Sequence, residues 1–354
     1  MDHPARLDAL RLRLAAERVE CLLVTSLPNI FYLSGFTGSA GVLLVDEGRS
    51  VLFTDGRYAL QAAEEVHGSR VVILRWGALE AAARRLGRYR CAGFEASADC
   101  RTWRQLREQA GACRLRLLEN VVEQLRLVKD DDELERIRRS VALNSRAFQQ
   151  TVKRIRPGLR EVEVAAELEY RMRLLGAERP AFETVVASGP RSAMPHARAS
   201  ARRLGENEVV VLDHGAILSN YASDMTRTVH LGAASRRARA LFRVVLEAQQ
   251  RAVAAVRAGA ACSAVDRAAR ECISRHGLGR YFTHSTGHGL GIEVHEIPRV
   301  ARRDKTRLPA GAVITIEPGI YIPGMGGFRI EDVVVVRERG AEVLTTTPRA
   351  LLEL

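Results

Sequence analysis

A chain of 354 residues leads one to expect two domains and a sizeable buried core. Its hydrophobic fraction of 47% includes no apolar run near the roughly 20 residues that a membrane span requires, which excludes a membrane-spanning helix. The net charge of +12 comes almost wholly from arginines dispersed among acids, with no RNA- or DNA-binding signature beside them, so nucleic acid is not an expected partner. Six scattered cysteines without a CxxC pair suit reduced thiols, and the charged opening MDHPARLDALRLRLAAERVE does not resemble a secretory signal; a cytoplasmic protein is expected.

In chain order, leucines at 7, 10, 12 and 14 predict an amphipathic helix over 5–19, followed by a buried strand at 20–25. The glycine-punctuated segment 33–41 reads as a turn region. It contains GxxGxxG but lacks GKS/T and leads into a strand, whereas a phosphate loop opens a helix. A hairpin around Glu47-Gly48, a helix begun at Asp55, a strand VVILRW, a helix over 78–88, a strand CAGFE, a helix over 102–110 and a strand CRLRLLE complete an alternating α/β domain. The domain boundary is expected within LVKDDDELE, giving domains 1–126 and 127–354. Three aspartates there favour a helix N-terminus, and Leu134, Ile137, Val141, Phe148, Val152 and Ile155 recur at helical spacing. A second helix over 161–175 and strand-like segments at 182–189 and 208–232 follow. Helices over 235–257 and 263–275 and further strands repeat that order, which predicts two structurally similar halves.

The stretch HSTGHGLGIEVHEIP (284–298) gathers His284, His288 and His295 with Gly287, Gly289 and Gly291. Histidine serves as metal ligand or acid/base group, and glycine permits close backbone approach. Around it, carboxylates stand in apolar strands. Asp213 ends one, and Asp224 lies across a hairpin turning near Ser219-Asn220. Glu317 precedes Pro318-Gly319, while Arg329 and Glu331, two apart, share a strand face. A buried carboxylate needs a cation, a donor or water, so each alone is compatible with a structural ion pair. Four such acids beside the histidine–glycine loop point instead to a hard, oxygen-rich site for two divalent ions, with Mn2+ favoured and Co2+ or Zn2+ compatible. Two ions about 3.5–4 Å apart can hold a bridging hydroxide and polarise a carbonyl, which is the chemistry of amide hydrolysis.

The blocks VLDHGAILSNYASDMTRT, HSTGHGLGIEVHE, TIEPGIYI and GGFRIED, in this order and spacing, resemble the pita-bread metallopeptidases, in particular Xaa-Pro aminopeptidases and prolidases. The resemblance continues through GFTGSAG and TDGRY. It implies a creatinase/prolidase-like α/β N-terminal domain and an α+β pita-bread catalytic domain with a pseudo-twofold repeat. It implies metal ligands Asp213, Asp224, His288, Glu317 and Glu331, with Asp224 and Glu331 bridging. His295 would contact the scissile region and stabilise the developing tetrahedral species, His196 would be a second substrate histidine, Glu317 would act as general base, and His284, Tyr321 and Arg329 would support or line the substrate pocket. The substrates implied are proline-containing peptides, and a homodimer is the family's default. A peptide bond to proline has no amide N–H, so such a pocket reads ring shape.

The N-terminal segments favour an Xaa-Pro aminopeptidase. The alternative is a prolidase restricted to dipeptides by a carboxylate clamp, for which Arg329 is the first suspect. A metal-independent creatinase-like amidinohydrolase and a non-catalytic binding module are disfavoured because all five ligand positions are filled. A methionine aminopeptidase is disfavoured by the N-terminal domain. His214 and Phe328 depart from the usual pattern without removing a ligand, and His214, as strand neighbour of Asp213, is expected to face away from the site.

Overall fold

The computed structural model describes residues 1–354, which divide into two compact units, Met1–Arg126 and Leu127–Leu354. The first unit has helices α1 (His3–Ala16), α2 (Leu27–Ser34), α3 (Ala59–Glu65), α4 (Ala78–Leu86), α5 (Cys100–Gln109) and α6 (Glu123–Arg126). Its strands are β1 (Cys21–Val24), β2 (Val42–Asp46), β3 (Ser50–Asp55), β4 (Arg70–Leu74), β5 (Cys91–Glu95) and β6 (Arg114–Leu118). They form one mixed sheet in the order β4-β3-β2-β1-β5-β6. Strands β2 and β3 form an antiparallel hairpin across a short turn, β1 pairs antiparallel with β2 after the longer segment that carries α2, and the parallel edges follow from the helical crossovers. Helix α2 replaces the first part of the expected turn region. Six of its eight residues are buried, so it carries no amphipathic stripe to announce it.

The second unit begins with α7 (Asp131–Val152), whose N-cap is Asp130. The Asp130 carboxylate accepts from Glu133 N, and Glu133 accepts from Asp130 N in return; Asp131 and Asp132 add charge where the helix dipole favours it. Helix α8 (Glu161–Leu174) packs beside it, and strands β7 (Arg179–Pro180), β8 (Val185–Ser188), β9 (Val209–His214), β10 (Ala216–Leu218), β11 (Tyr221–Ala222) and β12 (Met225–His230) follow. The β10–β11 turn takes positive φ at both Ser219 and Asn220, which matches the right-handed twist of a tight hairpin.

The order then recurs. Helices α9 (Arg236–Ala255) and α10 (Cys262–Arg275) pack together, followed by β13 (Gly287–Gly289), β14 (Glu296–Val300), β15 (Val313–Ile316), β16 (Gly319–Ile322), β17 (Gly326–Arg329), β18 (Asp332–Arg337), β19 (Gly340–Val343) and β20 (Leu352–Glu353). One half has the sheet β20-β12-β9-β8 against α7 and α8; the other has β14-β13-β15-β18-β19 against α9 and α10. Each half buries its own apolar cluster between helix pair and sheet, the pita-bread arrangement with its internal repeat. The halves meet where β12 runs beside residues 329–331: Glu331 N donates to Thr226 O, and Arg329 N donates to Thr228 Oγ1.

Candidate metal centre and active site

That seam gathers the expected ligands. Asp213 lies opposite Thr226 across β9 and β12, Asp224 directly precedes β12, Glu317 follows β15, and Glu331 joins β17 to β18. His288 is the middle residue of β13. Gly287 and Gly289 flank it because a Cβ at either would strike the backbone of β15 or β14 (1.9 Å from Thr315 O, 2.2 Å from Ile297 O). Their close approach is therefore to neighbouring strands, which fixes the height of the His288 ring between them.

The donors converge. Ligand atoms of Asp224, His288 and Glu331 all lie within 4.8 Å of one another. His288 Nε2 is 3.6 Å from Asp224 Oδ2 and 3.5 Å from Glu317 Oε1. His288 Nδ1 donates to the Gly289 carbonyl at 3.0 Å, which sets the tautomer and leaves the Nε2 lone pair facing the carboxylates. Burial, helped by the neighbouring His295, pulls the His288 pKa down to about 4, so the ring is neutral and able to ligate. Asp213 completes the group, with Oδ2 accepting from Arg329 Nη2 at 2.5 Å. Asp213 Oδ1 and Asp224 Oδ1 are buried without a hydrogen-bond partner.

Electrostatics agree with geometry. Burial first, then the like charges around them, push Asp224 and Glu331 well above the ordinary carboxylate range; burial raises Glu317 to about 7. Crowded buried carboxylates with orphaned oxygens favour protonation or a multivalent cation. An oxygen-rich set with one imidazole fits hard divalent ions. A buried pair behind the seam stiffens it: Arg227 donates to Asp332 Oδ1, Thr226 O and Glu331 O at 2.7, 2.9 and 2.6 Å.

The residues expected on the substrate side separate into two groups. His295 and His196 are exposed; the His295 ring stands edge-on to His288 with centroids 4.3 Å apart, and His196 lowers the pKa of His295 and His284 electrostatically. His284, Tyr321 and Arg329 instead form a chain. Arg329 Nη1 donates to Tyr321 Oη at 2.7 Å, Tyr321 donates to His284 Nε2 at 2.9 Å, and His284 Nδ1 donates to the Ser285 carbonyl. Arg329 is 2% exposed and also donates to Thr226 Oγ1, the Pro195 carbonyl and Asp213. Its guanidinium is thus committed to the protein, and Tyr321 is likewise buried, so neither presents a free group to a substrate carboxylate.

Sequence reading missed Arg299, which lies opposite His288 on β14. It is exposed, its side chain makes no hydrogen bond or ion pair, and its charge acts to lower the pKa values of His288, His295 and Glu317. Thr226, which donates to Glu331 Oε2 at 2.7 Å, was also missed.

His214 turns away from the ligands. Its ring stacks on Phe148, its Nδ1 donates to Asn144 Oδ1 at 2.6 Å, and Asn144 Nδ2 returns a bond to the His214 carbonyl. Phe328 fills the core beneath α9 and α10. Burial depresses His214 to about 3, below its unfolded value of 6.5. The unfolded state therefore takes up a proton first as pH falls, and stability is lost between pH 6.5 and 3. Metal-stripped wild type should lose about 2 kcal/mol more than metal-stripped His214→Leu between pH 7 and 5 in urea titrations. Equal losses would mean that His214 is charged in the fold.

Fold and site together define a metal-dependent hydrolase of the pita-bread class. The chain belongs to metallopeptidase family M24, which matches residues 135–338, and its residues 6–128 match the creatinase/prolidase N-terminal domain. It is 37% identical to the Xaa-Pro dipeptidase of Pyrococcus furiosus over 98% of this chain and 99% of that protein. Its structure is similar to an Xaa-Pro dipeptidase from Bacillus anthracis (TM-score 0.97, 36% identity, 100% of both chains). It is also similar to an X-Pro aminopeptidase from Thermotoga maritima (TM-score 0.91, 37% identity, 98% of this chain and 99% of that one). No helix is long and apolar enough to cross a membrane.

Proposed function

We propose that the protein is an Xaa-Pro dipeptidase, cleaving the bond between a residue and a C-terminal proline. The observation that carries the restriction to dipeptides is the free, exposed Arg299 beside the donor cluster, a cation available for the carboxylate that ends an Xaa-Pro dipeptide. The names of two similar relatives, both Xaa-Pro dipeptidases, support the same choice over the aminopeptidase expected from sequence. The segments that favoured an aminopeptidase have local uses: Gly35 ends α2 at φ 85°, and Asp55 caps the 3-10 turn Gly56–Tyr58.

In this reading Asp213, Asp224, His288, Glu317 and Glu331 hold two divalent ions, Mn2+ by the preference of oxygen ligands. When bound, the ions polarise the scissile carbonyl and make a water nucleophilic at neutral pH. The chain's own groups do the rest. Glu317, beside His288 in the cluster, is the group that would take a proton and deliver it towards the proline nitrogen. His295, whose pKa is lowered by partial burial, offers an N–H to the developing oxyanion, and His196 stands near it. The chain from Arg329 through Tyr321 to His284 positions both Asp213 and the wall of the site.

The test is parallel hydrolysis of Ala-Pro and Ala-Pro-Ala by chelated protein before and after Mn2+ readdition. Metal-dependent cleavage of Ala-Pro with the tripeptide left intact is expected. Comparable cleavage of the tripeptide between Ala and Pro would make the protein an aminopeptidase.

A further inference from the structure

A second cluster of metal-ligating groups lies away from the seam, on the pair α9 and α10. Glu247 is near the middle of α9; Cys272 and His276 stand four apart at the end of α10 and so share one face. The carboxylate, thiol and imidazole donor atoms all lie within 4.8 Å of one another. His276 Nε2 is 3.6 Å from Glu247 Oε2, too far for a hydrogen bond. It matches the separation of roughly 3.3–3.6 Å between two ligands of a tetrahedral ion with bonds of about 2.0–2.3 Å.

The surroundings orient the donors. Arg251 holds Glu247 Oε1 at 2.8 Å, one turn further along α9, which turns Oε2 towards His276. Cys272 is 1% exposed, and its thiol is raised by burial and by contact with the Glu247 carboxylate. His276 and Glu247 are about half exposed, so the face is open to an entering ion and to a solvent molecule as fourth ligand.

We propose that Glu247, Cys272 and His276 form a second metal site, specific for a thiophilic divalent cation such as Zn2+. One thiolate, one imidazole and one carboxylate select Zn2+ or Co2+ over Mn2+, the opposite preference to the oxygen-rich centre. Binding displaces the Cys272 thiol proton to solvent. The ion ties the last turn of α10 to α9, at the point from which the chain runs on to His284 and His288.

The experiment is Co2+ titration of the Mn2+-loaded protein, read by sulfur-to-cobalt charge-transfer absorption in the near ultraviolet. The oxygen-rich centre contains no sulfur, so Co2+ entering it gives no such band. A band is expected in wild type and in Cys100→Ser, which removes the one exposed cysteine. It should bleach on Zn2+ addition and vanish in Cys272→Ser. It should require at least about tenfold more Co2+ in His276→Ala, whose half-exposed side chain can be removed without disturbing the core. Absence of the band in wild type, its survival in Cys272→Ser, its loss in Cys100→Ser, or unchanged affinity in His276→Ala overturns the site.

Discussion

Replacing Asp224 by Asn should abolish peptide hydrolysis while leaving the metal-stripped protein at least as stable as stripped wild type. Asp224 is buried among Asp213, Glu317 and Glu331, and its Oδ1 has no partner. As a proposed bridging ligand, its loss would remove both ions' shared contact. Lewis-acid stabilisation is worth several kcal/mol, and each 1.36 kcal/mol is a factor of ten, so kcat/KM should fall by about 10^3-fold or more. In stripped protein the same change removes a carboxylate that burial and its acidic neighbours disfavour, which is favourable. Metal stoichiometry, hydrolysis of Ala-Pro and urea unfolding with and without chelator measure all three. Retained metal binding with full activity would remove Asp224 from the ligand set. A collapse of stability in the stripped variant would assign Asp224 a structural role.

The second large effect concerns substrate length. A charge-assisted hydrogen bond between Arg299 and the substrate carboxylate contributes about 1.5–3 kcal/mol, so Arg299→Gln should lower kcat/KM for Ala-Pro by roughly 10- to 100-fold. The amide Ala-Pro-NH2 lacks that carboxylate, so its slower hydrolysis should be unchanged, and discrimination between the two should narrow accordingly. Arg329→Gln should differ in kind. Arg329 contacts Asp213, Tyr321, Thr226 and Pro195, so its removal should harm both substrates and metal retention. If Arg299→Gln slows both substrates equally, the arginine acts through the cluster's electrostatics and the dipeptide clamp lies elsewhere.

Much of this site is legible in the sequence because its physical signature is local. A carboxylate within an apolar strand announces an unbalanced charge, and Asp213, Asp224, Glu317 and Glu331 all sit in or beside such strands. Helix α7 was legible for a similar reason, since its aspartate cap and its buried Leu134, Ile137, Val141 and Phe148 lie within one segment. Helix α2 escaped because it is buried nearly all round, and burial without a polar face leaves no period to read.

The sequence by itself determined the α/β character of the first unit, the helix–helix–strand repeat of the second, the acids and histidines gathered at the seam and the family they resemble. Each depends on order, spacing or side-chain chemistry within short windows. The tertiary structure alone decided which arginine is free. Arg329 finds Asp213 and Pro195 at 116 and 134 residues' separation, whereas Arg299 finds no side-chain partner. It also decided that His214 faces Asn144 on α7, and that Glu247 meets Cys272 and His276. Those contacts join residues far apart in the chain, and their energies depend on desolvation and geometry that exist only once the sheets and helices have packed.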